Sequence, residues 1–89
     1  MANKRTLKRA ISTVCEELMV NCIAASLYGK GNQQDNAETL LRTIIRVESD
    51  YLSRVSHAEP GMKANAYYKK LREDFTNQAS EILDQINYL

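Results

Sequence analysis

Eighty-nine residues make one domain near the lower size limit for a single core, so stabilisation by a second chain is in view from the outset. Apolar residues at 44% and charged residues at 26% are an ordinary globular balance, and a formal net charge of +1 excludes any chain-wide electrostatic case for nucleic acid or a membrane surface. One proline and three glycines leave few turns, which favours a small number of long elements.

The first predicted helix covers residues 6–28. Leu7, Ile11, Val14, Leu18, Cys22 and Ala25 recur at spacings of three and four, which is one stripe of a helix. Gly29, Lys30, Gly31 and Asn32 end it, because glycine takes the left-handed conformation of a helix C-terminus at no steric cost. The basic start (Lys4, Arg5, Lys8, Arg9) has the charge of a secretory leader, but Glu16 and Glu17 fall where an apolar run should lie, with no clean cleavage site beyond. The most apolar stretch, residues 18–28, contains Asn21 and is shorter than a membrane span. A cytoplasmic protein is expected. Cys15 and Cys22, seven residues apart on one helix, are separated by roughly 10 Å, beyond disulfide reach and in keeping with a reducing compartment.

The second predicted helix covers residues 36–56. Asp35 followed by Glu38 reads as a variant capping box. Leu40, Leu41, Ile44, Ile45, Val47, Tyr51, Leu52 and Val55 keep the helical period, and Pro60 with Gly61 breaks it. The third covers residues 65–88, with Tyr68, Leu71, Phe75, Ala79, Ile82, Ile86 and Leu89 as its stripe. Short connections make neighbours antiparallel, so the expected fold is all-α: one domain over residues 1–89, a three-helix up-down-up bundle, completed by dimerisation.

The stretches Ser26-Leu-Tyr-Gly-Lys-Gly, Ser56-His-Ala-Glu-Pro-Gly-Met-Lys and Ala66-Tyr-Tyr-Lys-Lys-Leu carry a resemblance. Together they resemble a family of small helical bacterial proteins with no assigned activity, over nearly the whole chain. The resemblance implies bacterial origin and a helical fold, and it brings no catalytic or binding residues.

Candidate chemistry is sparse. Cys15 and Cys22 with His57 and Glu59 lack the tight spacing of a structural zinc set, and buried cysteine acting as a small hydrophobe is the better reading. His57 beside Glu59 has no nucleophile or oxyanion device to serve, and His57 is expected to cap the end of the second helix. No enzyme, cofactor or metal site is expected.

Two surface features are more informative. The up-down-up arrangement gathers Lys4, Arg5, Lys8, Arg9, Arg54, Lys63, Lys69, Lys70 and Arg72 at one end, opposed there chiefly by Asp50, Glu59, Glu73 and Asp74. Asp35, Glu38, Glu81 and Asp84 fall at the other, with Lys30 and Arg42 opposing them. Lys4, Arg5, Lys8, Arg9, Lys63, Tyr67 and Lys70 form a basic pole for a partner, with Tyr67 placed to stack or anchor. The second feature is surplus apolar surface. Residues 18–28 are apolar nearly all round, and the second helix has the same excess around Leu40 and Ile44. Met19, Ile23, Leu27, Leu41 and Ile45 are the expected dimer interface. The leading expectation is a protein-interaction module acting as a dimeric helical bundle. The alternative is a nucleic-acid-associated protein using the basic pole, although no helix-turn-helix spacing supports it.

Overall fold

The computed structural model describes residues 4–28, 34–57, 61 and 63–89. It contains α1 (Lys4–Tyr28), α2 (Gln34–Ser56) and α3 (Ala64–Asn87), with no strand among the described residues. The boundaries fall within two residues of those expected. The glycine-rich stop at 29–32 and the Pro60 break lie outside the described residues.

Each helix buries the stripe its spacing defines. Leu7, Ile11, Cys15, Leu18 and Cys22 come from α1; Ala37, Leu40, Ile44, Tyr51 and Val55 from α2; Tyr68, Leu71, Phe75, Ile82 and Ile86 from α3. Fully burying an aliphatic side chain of this size contributes about 2 kcal/mol, so this seam is the main source of stability. No buried side chain among the described residues is polar or charged. The phenol ring of Tyr51 meets that of Phe75 edge to face, with centroids 5.2 Å apart.

Three contacts give the relative directions. The Cys22 thiol donates to the Ala37 carbonyl at 3.4 Å, which brings the end of α1 to the start of α2. Tyr68, at the start of α3, donates its hydroxyl to the Val55 carbonyl at the end of α2 (3.3 Å). Leu7, Ile11 and Val14 of α1 flank a shallow groove beside Arg72, Phe75 and Ala79 of α3, and these two helices, each antiparallel to α2, run parallel to one another. The bundle is therefore up-down-up, with extents of 48 × 19 × 16 Å.

The expected capping box is corrected. Asp35 already lies inside α2, and the Thr39 hydroxyl donates to its carbonyl at 3.0 Å. Glu38 turns forward to Arg42 (3.1 Å) instead of back to the helix start, because i,i+4 neighbours share a helix face. The end of α2 does match expectation: His57 Nδ1 donates to the Ser53 carbonyl at 2.9 Å.

Candidate interaction surface

A residue one position beyond a buried one is turned about 100° around the helix. On α1, Met19 follows Leu18 and Ile23 follows Cys22; on α2, Leu41 follows Leu40 and Ile45 follows Ile44. The opposite flank of each helix is occupied by α3. On α1 it carries Leu7, Ala10 and Val14, beside Phe75 and Ala79. On α2 it carries Asn36, Thr39 and Thr43, beside Gln85 and Leu89. Met19, Ile23, Leu41 and Ile45 consequently turn toward one another over the α1–α2 seam, on the side away from α3.

All five residues of the expected interface fall on this outer face. Met19 and Leu41 are half-buried against the core, whereas Ile23, Leu27 and Ile45 are 47%, 72% and 55% exposed. Val20, at 64%, belonged to the surplus in the sequence but points away from the core beside Thr13, Glu16, Glu17 and Asn21, off the strip. Leu52, expected in the core stripe, is half-buried at the far end of the same face. Leu83 and Tyr88 are exposed too, but they lie on α3 and do not extend the strip.

The charges segregate along the long axis. Lys4, Arg5 and Arg9 are exposed and Lys8 is half-buried at the start of α1. Lys63, Lys69, Lys70 and Arg72 are exposed around the start of α3. Arg54, at the end of α2, pairs with Asp50 at 2.9 Å and sits 4.9 Å from the Tyr51 ring centroid. Neither α1 nor α3 has an acidic residue in its first turn or a basic one in its last, so both leave their dipoles uncompensated.

Tyr67, expected to stack or anchor at this pole, is tied to the α2–α3 corner. It is half-buried, and its hydroxyl donates to the carbonyls of Arg54 (3.0 Å) and His57 (3.3 Å). Its ring packs edge to face on Tyr68 at 5.5 Å. Its ring and hydroxyl are engaged at the α2–α3 corner, because a helix C-terminus leaves carbonyls that need donors. Sequence spacing places Tyr67 beside Tyr68 but carries no information about which carbonyls lie within reach.

Cys15 and Cys22 are both free thiols and fully buried. Burial, assisted by the Glu48 carboxylate, pushes the Cys15 thiol up to about 11, and burial raises Cys22 as well. They remain protonated and unreactive at neutral pH. Among the described residues, no group of His, Cys, Asp and Glu side chains is arranged to hold a metal ion. By length and composition α1 alone among the described helices could cross a membrane, its most apolar stretch having mean hydropathy 1.4. Comparison with known proteins finds no matching family model, curated protein or solved structure.

Proposed function

We propose that this chain is a cytoplasmic, non-catalytic interaction protein of bacterial origin that works as a homodimer through its α1–α2 face. The observation that carries the reading is the run of large apolar side chains left in water there: Ile23, Leu27 and Ile45, beside half-buried Met19 and Leu41. Scattered exposed aliphatics need no explanation, but a contiguous strip over two adjacent helices is a liability that a partner removes. A second copy suits the size of the chain, since a core built from three short stripes gains most from a second wall.

The test is molar mass by light scattering across a hundredfold range of concentration. A dimer is expected. Ile23→Lys or Ile45→Lys is expected to return a monomer with unchanged helical content, because both side chains are already exposed in the single chain. A wild-type monomer at every concentration overturns the reading.

One observation favours a second reading. The starts of α1 and α3 present lysines and arginines at the same end as two uncompensated helix N-termini, an arrangement suited to a polyanion such as nucleic acid.

A further inference from the structure

We infer that the two copies pair antiparallel across the α1–α2 face, each basic end alongside the acidic end of its partner. The inference rests on the homodimer reading and adds the orientation, from three observations.

The first is area. The broad face of the molecule, 48 by 19 Å, projects roughly 900 Å², while a stable interface removes about 800 Å² from each partner. A pairing confined to the apolar strip near Ile23 and Leu41 would use only about half of that face. The copies therefore need to overlap along most of their length.

The second is charge. With full overlap, a twofold axis along the bundle would stack Lys4, Arg5, Lys8 and Arg9 beside their own mates. A twofold axis across the bundle carries them instead to the partner's end that holds Asp35 and Glu38, the latter shared with Arg42 of its own helix. Like charges held together oppose association, whereas opposed poles steer it and fix its register.

The third is register. The Cys22–Ala37 contact aligns α1 with α2 so that Arg5 and Lys8 are level with positions close to Val55 and Leu52. Arg5 and Lys8 thus lie about ten and seven residues of rise from Ile45, roughly 15 and 10 Å toward the basic end. Asp35 and Glu38 lie at about the same two distances from Ile45 toward the acidic end. An axis crossing the face at Ile45 brings Arg5 and Lys8 of each copy level with Asp35 and Glu38 of the other. Ile45 then meets its own mate on the axis, while Ile23 is carried well away from its mate.

Two paired charge reversals test this, with mass measured by light scattering and helicity by circular dichroism. Arg5→Glu with Lys8→Glu is expected to weaken self-association about tenfold, and Asp35→Lys with Glu38→Lys by a similar factor. Mixing the two variants is expected to restore a heterodimer at wild-type strength, since both ends are complementary again. In separate single variants, Ile45→Cys is expected to form a disulfide-linked dimer on mild oxidation and Ile23→Cys is not; native Cys15 and Cys22 are buried and do not compete. A wild-type dimer indifferent to the reversals, or one that links through Ile23 and not Ile45, overturns the antiparallel orientation and leaves the homodimer standing. A wild-type monomer overturns both.

Discussion

Cys15 shows how burial, assisted by a nearby carboxylate, sets the chemistry of a residue. With its thiol raised from 9.0 to about 11 by burial and by Glu48, the folded chain holds this proton more tightly than the unfolded chain does. The associated stability is present below about pH 9 and is lost as pH rises toward about 11, on the order of 2 kcal/mol over that window. Cys22 and Tyr51 are raised as well, Cys22 by burial and Tyr51 chiefly by burial, so their contributions have the same sign. Urea unfolding at pH 7.5 and pH 10.5 is expected to show this fall, and Cys15→Ala to reduce it. Both thiols are further expected to resist a thiol-directed dye at pH 8 until urea is added. Reaction of the folded chain at the rate of a free cysteine would contradict the buried placement.

At the scale of the helix, the end of α2 is held by three side chains from its own last turn and from α3. His57 reaches the Ser53 carbonyl, Tyr67 those of Arg54 and His57, and Tyr68 that of Val55. Removing a hydroxyl whose acceptor stays in place costs about 1 kcal/mol, and more where water cannot replace it. Tyr68→Phe, at the buried site, is expected to destabilise by about 1–2 kcal/mol and Tyr67→Phe, at the wetter one, by about 0.5–1 kcal/mol. Chemical denaturation of each variant measures this, and faster amide exchange in the last turn of α2 would localise it.

These helices also show what a sequence makes legible. Leu7, Ile11, Leu18 and Cys22 are placed correctly by spacing, because helical period and burial share one cause. Ala37 escapes the pattern: it is small enough to read as neutral, yet it is buried where its carbonyl meets the Cys22 thiol. Cys15 lay off the expected stripe, although its burial as a small hydrophobe was read correctly. Ile45 and Leu41 read as surplus and lie on the outer face, so the candidate surface was largely legible as an excess over what one stripe requires. The role of Tyr67 was not, since it depends on the corner between two helices and on carbonyls that no side-chain pattern encodes.

For the whole molecule, the governing feature is a dipolar rod. A chain with net charge +1 keeps most of its cations around the starts of α1 and α3, while Asp35, Glu38, Glu81 and Asp84 occupy the other end with Arg42 among them. If the basic end also serves a polyanion, retention on heparin is expected at low salt, to fall steeply as salt rises, and to be lost in Lys63→Glu with Lys70→Glu. Passage straight through the column at low salt would leave the pole to self-association alone.

The bundle is 48 Å long yet only 19 by 16 Å across, so its interior is a narrow column of side chains along the three-helix seam. Such an interior has no depth of its own. Anything that settles on the α1–α2 face becomes an outer wall for Cys15, Cys22 and Ile44, turning a membrane-thin seam of oil into a filled centre. Association would then add to the stability of a chain that already folds alone, and the melting point would record how much of it is in the tube.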